Sequence, residues 1–159
     1  MELYLLRHAH AGDPAAWDGP DDVRPLSEKG ERQANRLGRY LSALGFAPDA
    51  VITSPKLRAV RTAELIALHL AVPVGVDDRL AGEVTIENLE ALLHDAGDPQ
   101  KLVLVGHDPD FSELVAFLVG ALRVPMRKGT LARIDADLPL RPAGGILRWL
   151  VPPDLVSDR

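Results

Sequence analysis

The 159-residue chain contains no cysteine, and this absence excludes disulfide bonds, thiolate catalysis and cysteine-ligated zinc. Aromatic residues make up only 4% of the chain and the formal net charge is -5, so the chain lacks the basic stripe and stacking aromatics of a nucleic-acid-binding module. No apolar run approaches the length that crosses a bilayer, and no basic leader precedes the first apolar segment. We therefore expect a cytoplasmic protein with no nucleic-acid partner and no membrane association.

The residues that are present describe an ordinary globular protein. Hydrophobic residues account for 47% of the chain and charged residues for 26%, which are typical values for a packed domain. A chain of this length is sufficient for one domain with an ordinary core. We predict that residues 1–159 form a single domain.

Short apolar runs that predict strands alternate with amphipathic segments that predict helices. This alternation predicts an α/β fold whose mainly parallel sheet carries helices on both faces. Two further apolar runs predict a C-terminal strand pair, and the tail from Pro152 is expected to be loose. The predicted strands are Leu3–Leu6, Ala50–Thr53, Val74–Val76, Leu102–Val105, Thr130–Ile134 and Ile146–Val151. The predicted helices run from the cap Ser27 to Gly45, from the cap Ser54 with Pro55 to Leu70, from Ile86 to near Gly97, and from the cap Asp108 with Pro109 to Gly120.

Polar side chains follow three of the predicted strands at the point where each strand ends. Arg7 and His8 follow the first strand, Ser54 leads to Arg58 after the second, and His107 follows the strand over 102–105. The carboxyl ends of parallel strands share one edge of a sheet, which is where ligands bind in open α/β folds. Burial of such groups without partners is costly, so we expect them to converge on a site.

Two arginines and two histidines at one edge suit a phosphoryl group. A guanidinium donates two parallel hydrogen bonds to phosphate oxygens. A neutral imidazole has a lone pair that can attack phosphorus without first losing a proton. A second imidazole, if protonated, can donate to an oxygen on which charge develops.

These residues resemble the histidine phosphatase superfamily. The resemblance rests on three motifs in the family's order: Leu5-Leu6-Arg7-His8-Ala9, Thr53-Ser54-Pro55-Lys56-Leu57-Arg58-Ala59 with Arg61-Thr62-Ala63, and Val105-Gly106-His107. It implies a three-layer, phosphoglycerate-mutase-like fold. The short length, the Arg7-His8-Ala9 motif and the segment Val23-Arg24-Pro25-Leu26-Ser27-Glu28-Lys29-Gly30 are similar to the SixA-type phosphohistidine phosphatases.

The resemblance also implies roles for the strand-end residues. His8 is expected to be the catalytic nucleophile that becomes phosphorylated, with His107 completing the catalytic pocket. Arg7 and Arg58 are expected to bind the phosphoryl oxygens. No metal and no cofactor are implied, and the expected partner is a phosphorylated protein or a small phosphate ester.

Larger members of the family carry a glutamate acid in a segment inserted after the second arginine motif. Here that segment is short and Glu83 is the candidate, although a loop carboxylate without a catalytic role fits equally well. Imidazole leaves more readily than an alkoxide, so a missing acid suits a phosphohistidine substrate. Arg24, in the predicted loop from Gly12 to Pro25, either points at the site or is a solvated loop arginine, and the solvated position is favoured.

Three alternatives stay open at this stage. The same pocket could act on a small phosphate ester, or the domain could bind a phosphate or a partner without catalysis. A metal hydrolase could use His8, His10, Asp13, His107 and Asp108, but the barrel enzymes with such a pair need roughly 250 residues. That alternative also leaves the two arginines without a role, since cations repel a metal. The remaining histidines, His69 and His94, lie late in helices and receive no catalytic role.

Overall fold

A six-stranded mixed sheet forms the centre of the computed structural model, which describes residues 1–157. The strands are β1 (Glu2–Arg7), β2 (Ala50–Thr53), β3 (Val74–Val76), β4 (Lys101–Gly106), β5 (Leu131–Asp135) and β6 (Ile146–Val151). Their order across the sheet is β3-β2-β4-β1-β5-β6. The first four strands are parallel, β5 pairs antiparallel with β1, and β6 pairs antiparallel with β5. The predicted parallel sheet with a C-terminal strand pair is confirmed.

Four α-helices of the described chain cover both faces of this sheet, as predicted. They are α1 (Glu28–Ala43), α2 (Leu57–Leu70), α3 (Ile86–Asp95) and α4 (Asp110–Val119). Successive side chains of a strand point to opposite faces. Leu3 and Leu5 of β1 accordingly pack in one core cluster with α3 and α4, whereas Tyr4 and Leu6 pack in a second cluster with α1 and α2. The three layers therefore follow from the period-two burial of the central strands.

The helix starts differ from the sequence prediction at two of the four places. Ser27 caps α1, accepting a hydrogen bond from the Gly30 backbone N–H at 3.1 Å, as predicted. The prediction for α2 was wrong, because this helix begins at Leu57 after Lys56 and not at Ser54-Pro55. Helix α4 likewise begins at Asp110, beyond the predicted Asp108-Pro109 start. In both cases the side chain expected to cap the helix also contacts a strand-end residue: Ser54 contacts His107, and Asp108 pairs with Arg7 while still accepting from the Ser112 backbone N–H of α4 at 3.1 Å.

The C-terminal tail is packed and not loose as predicted. Pro153–Leu155 form a 3-10 turn, and Val156 is buried in the cluster that contains α1 and α2. The burial of this one apolar side chain outweighs the weak local structure of the segment. Residues 158–159 of the predicted loose tail lie outside the described residues. Within residues 1–157, no helix combines the length and the apolarity needed to cross a membrane.

Close packing at the end of β4 explains one glycine. A Cβ atom added to Gly106 would lie 2.6 Å from the Phe111 ring, so only glycine lets the first turn of α4 pack directly against this strand end. His107 follows immediately, which means that its position is fixed by the contact between β4 and α4.

Candidate active site

The sheet brings the predicted site residues of three strand ends together. Arg7 of β1 is in register with Gly106 of β4, so His8 and His107 leave neighbouring parallel strands side by side. Their ring centroids lie 5.2 Å apart. Strand β2 lies on the other side of β4, and the first turn of α2 carries Arg58 to the same place, where its Nε lies 3.3 Å from His8 Nε2.

His8 is a neutral imidazole with one lone pair directed at Arg58. Its Nδ1 lies 2.8 Å from the carbonyl oxygen of Ala9. A carbonyl only accepts, so Nδ1 carries the proton and Nε2 keeps the lone pair that accepts from Arg58 Nε–H. The side chain is 3% exposed. Burial, with smaller effects from His107, Arg58 and Arg7, lowers the pKa of His8 to about 3. The geometry therefore provides a buried nitrogen lone pair beside a guanidinium.

Arg58 is also bound by a carboxylate that sequence reasoning missed. Its two terminal nitrogens donate to the Asp21 backbone oxygen at 2.8 Å and to Asp21 Oδ2 at 2.9 Å. Asp21 also accepts from Arg24 Nε at 3.1 Å. Although partial burial acts in the opposite direction, the hydrogen bonds from Arg24 and Arg58 lower the pKa of Asp21. A loop carboxylate thus occupies donors that a phosphoryl group would need.

Arg24 is not the solvated loop arginine that the sequence favoured. It is 5% exposed, and one terminal nitrogen donates to the Ala11 backbone oxygen at 2.6 Å. Asp21 joins it to Arg58. The error has a physical reason, since the loop from Gly12 to Pro25 folds back over the strand ends instead of extending into solvent.

His107 is held by Ser54, the residue that the sequence assigned to a helix cap. His107 Nε2 lies 2.7 Å from Ser54 Oγ, which also accepts from the Lys56 backbone N–H at 3.2 Å. Burial, followed by the charges of Arg58 and Lys56, lowers the pKa of His107 to about 3, so this imidazole is neutral near pH 7 in the unliganded pocket. His107 Nδ1 is buried without a hydrogen-bond partner among the described residues. A neutral imidazole still donates one N–H, and this nitrogen is the one left to do so when Ser54 donates to Nε2.

Arg7 is fixed at the mouth of the pocket by two acceptors. One terminal nitrogen donates to the Met126 backbone oxygen at 2.7 Å and lies 3.3 Å from Asp108 Oδ2. Asp108 is itself held by Ser112, whose hydroxyl lies 2.7 Å from the same carboxylate oxygen. The Nε atom of Arg7 is buried and has no hydrogen-bond partner among the described residues.

The residues of the metal-hydrolase alternative are not gathered. His10 Nδ1 lies 2.6 Å from Ser27 Oγ, and Asp13 accepts from the Ala15 backbone N–H at 2.9 Å. Asp108 is paired with Arg7. Among residues 1–157, no group of three or more His, Asp or Glu side chains is placed to hold a metal ion.

The segment that carries His8 is anchored on α1 and α2. The Ala9 backbone N–H donates to Thr62 Oγ1 of α2 at 3.1 Å. The His10 backbone N–H donates to Gln33 Oε1 of α1 at 3.0 Å, and the His10 carbonyl accepts from the Ser27 backbone N–H at 3.0 Å. A Cβ on Gly30 would overlap the His10 carbonyl, so α1 can pack this closely only with glycine there. These bonds fix the backbone on the carboxyl-terminal side of His8.

Glu83 lies near the first turn of α4. It is exposed, adopts a φ of +54°, and precedes α3. Burial, with smaller effects from Asp108 and Glu83, raises the pKa of Asp110 in the first turn of α4, which places Glu83 near that turn. The suggested acid role of Glu83 stays a prediction. Arg61 forms a surface ion pair with Glu64 at 3.6 Å, together with a closer pair to Glu31 at 2.8 Å.

Comparison with known proteins agrees with this geometry. The model of the histidine phosphatase superfamily (branch 1) matches residues 3–105. An uncharacterized protein of Picosynechococcus sp. is 40% identical over 116 residues, which cover 71% of this chain and 70% of that protein. The protein histidine phosphatase SixA, solved with tungstate, superposes with a TM-score of 0.84 at 23% identity over 99% of this chain and 100% of that chain. A putative alpha-ribazole-5'-P phosphatase from Escherichia coli superposes with a TM-score of 0.73 at 22% identity over 94% of this chain and 95% of that chain. The chain under study belongs to the histidine phosphatase superfamily (branch 1).

Proposed function

We propose that this chain is a metal-independent phosphatase that removes the phosphoryl group from phosphohistidine in a protein, through a phosphorylated His8. The observation that carries the proposal is the lone pair of His8 Nε2, which lies 3.3 Å from Arg58 Nε while Nδ1 is tied to the Ala9 carbonyl. Neutrality, burial and orientation are the three properties that a nitrogen nucleophile requires.

In the first step, the Nε2 lone pair attacks phosphorus and the bond between phosphorus and the substrate imidazole breaks. The electron pair of that bond goes to the substrate nitrogen, which takes up a proton. Arg58 then donates to a phosphoryl oxygen in place of Nε2, and Arg7 faces the same group from β1. The Ala9 carbonyl stabilises the charge of the phosphorylated ring through Nδ1–H.

In the second step, a water molecule attacks phosphorus and the bond to Nε2 breaks. The electron pair returns to Nε2, phosphate leaves, and neutral His8 is regenerated. The unpartnered Nδ1 of His107 is the donor we assign to an oxygen on which charge develops, with Ser54 donating to Nε2 so that Nδ1 carries the proton.

Guanidinium groups supply the positive charge that a metal ion supplies in other phosphatases. Full activity in excess chelator is therefore the expected result, and loss of activity that a divalent cation restores would overturn the metal-independent part of the proposal.

The deciding experiment compares kcat/KM on a phosphohistidine-containing protein with kcat/KM on a panel of small phosphate esters. We expect the phosphohistidine substrate to be preferred, because its imidazole leaves without strong acid assistance. Rapid alkaline quenching should trap on this chain a phosphoryl group that is alkali-stable and that later acid treatment releases, as phosphohistidine does. A preference for one of the esters would overturn the assignment of substrate, whereas a trapped phosphoserine or no trapped species would overturn His8 as nucleophile.

A small-ester phosphatase with the same intermediate is the second candidate. It is favoured by the position of the Glu83 carboxylate near the first turn of α4, since an alkoxide leaving group needs a proton donor. Faster cleavage of an ester, reduced by Glu83→Gln, would select this candidate.

A further inference from the structure

A groove lined by five cations opens from the phosphoryl pocket. Its volume is about 560 Å³, which is larger than one phosphate requires and lies within the range of ligand sites. We name it the basic groove; its cations are Arg7, Lys29, Arg36, Arg127 and Lys128. Arg7 belongs both to the groove and to the phosphoryl pocket, so the two are adjacent.

The backbone places the groove directly beside the nucleophile. The Gly129 backbone N–H donates to the carbonyl oxygens of Arg7 at 3.1 Å and His8 at 3.0 Å, so Arg127 and Lys128 immediately precede a residue bonded to the catalytic segment. Lys128 Nζ lies 3.3 Å from the Gly12 carbonyl oxygen. Helix α1, which carries Lys29 and Arg36, forms the other wall.

The cations of this groove are poorly neutralised within the chain. Lys29, Arg36 and Lys128 form no ion pair with any residue between 1 and 157, and the one carboxylate among the described lining residues, Asp154, is paired with Arg127 at 3.1 Å. The Nε atoms of Arg7 and Arg36 are buried without a hydrogen-bond partner in the described chain. Burial, followed by the charges of Arg24, Arg7 and Arg58, lowers the pKa of Lys128, so further cations lie close to this ammonium group. In a chain of net charge -5, such a concentration of cations indicates an anionic ligand.

We propose that the basic groove binds the acidic surface that surrounds the phosphohistidine of the substrate protein. This inference rests on the proposed function and extends it by naming the partner's chemistry. Arg127 has a side chain that is 71% exposed and Lys29 is also exposed, so the outer cations form an open rim suited to several carboxylates spread over a protein surface.

The test compares two peptides that contain phosphohistidine and differ only in the flanking residues, which are Asp and Glu in one and Asn and Gln in the other. The measured quantity is the ratio of kcat/KM for the acidic peptide to kcat/KM for the neutral one. We expect a ratio of about ten or more at low ionic strength, falling towards one as salt is added. The double variant Lys29→Glu/Arg127→Glu should bring the ratio to one or below.

The matched control is Lys101→Glu/Arg141→Glu, which changes the net charge by the same amount at positions outside the groove. Lys101 begins β4, at the end of the sheet opposite the pocket. This control should keep the wild-type ratio. A control variant that lowers the ratio as much as the groove variant would overturn the inference, because net charge and not the groove would then set the preference.

The outcomes separate the two proposals. Equal kcat/KM for the two peptides in the wild-type protein would overturn the groove inference and leave the phosphohistidine function standing. Failure to cleave either peptide, together with cleavage of small phosphate esters, would overturn the proposed function. A small bisphosphate preferred over its monophosphate, with the preference lost in the groove variant, would assign the groove to a second phosphate and overturn the protein partner.

Discussion

The phosphoryl pocket and the basic groove share Arg7 but differ in the burial of their side chains and in how those side chains are paired. In the pocket, His8, Arg58 and His107 are buried, and each polar side-chain atom of these three residues except His107 Nδ1 has a hydrogen-bond partner. In the groove, long side chains reach an open rim, and Lys29, Arg36 and Lys128 form no ion pair within residues 1–157. A buried, low-dielectric pocket makes each interaction strong and sensitive to geometry, whereas screened charges at an open rim act collectively. Chemistry and recognition are therefore expected to respond to mutation on different scales.

The largest effect should come from His8→Ala. Removing the proposed nucleophile should lower kcat by at least about ten-thousand-fold, because no other group replaces the lone pair. Tungstate affinity, measured by calorimetry, should fall far less, since Arg7 and Arg58 remain. His94→Ala, which changes an exposed histidine at the end of α3, should keep wild-type kcat. Appreciable turnover by His8→Ala would remove His8 from its role.

Arg58→Ala should cost on the order of 2–4 kcal/mol of transition-state stabilisation, measured from kcat/KM, through the loss of one preorganised donor. Arg61→Ala is the matched control, since it removes the same charge from the same helix at an exposed position paired with Glu31 and Glu64. The control should change kcat/KM by less than about twofold. If the two variants lose similar kcat/KM, the loss follows from removing a positive charge from α2 and not from the position of Arg58 in the pocket.

The free energy of unfolding should fall as the pH decreases from about 6.5 towards 3. The pKa of His8 and of His107 is lowered to about 3 in the folded protein, so the unfolded chain binds protons in this window that the folded chain does not. Linkage gives a slope of about 1.4 kcal/mol per pH unit for each such histidine, with stability fully present above the unfolded pKa. Denaturant unfolding across the window measures the slope. His107→Gln should reduce it, and an unchanged slope would mean that His107 is not the group that titrates.

The smallest effect should come from Asp21→Asn. The carboxylate occupies Arg58 in the unliganded pocket, so its neutralisation should lower the inhibition constant of inorganic phosphate by about three- to tenfold. Asp22→Asn is the control, because it removes an equal charge from the next residue of the same exposed turn. A weaker affinity for phosphate in Asp21→Asn would show that Asp21 positions Arg58 instead of competing for it.

The sequence predicted the pocket better than the groove for a physical reason. His8, Arg58 and His107 follow buried strands, and a parallel sheet brings strand ends together whatever the loops do. The sequence did not predict the roles of Asp21, Arg24 and Ser54. The roles of Asp21 and Arg24 depend on how their loop folds back over the strand ends. The role of Ser54 depends on the start of α2, which lies a few residues beyond the position that the local signals indicate. Arg127 and Lys29 are far apart along the chain and carry no local pattern. Only the packing of the 127–129 segment and the tail against α1 makes them neighbours.

The anchoring of residues 9–10 has a consequence for how this protein can change over evolution. Thr62, Gln33 and Ser27 hold residues 9–10 against two helices, while the residues that we propose to contact a substrate protein come from a surface loop, a helix face and the tail. Substitutions among those outer residues can accumulate without moving His8 Nε2. A few surface substitutions in such a scaffold can change which phosphorylated compound it prefers, while the reaction stays the same.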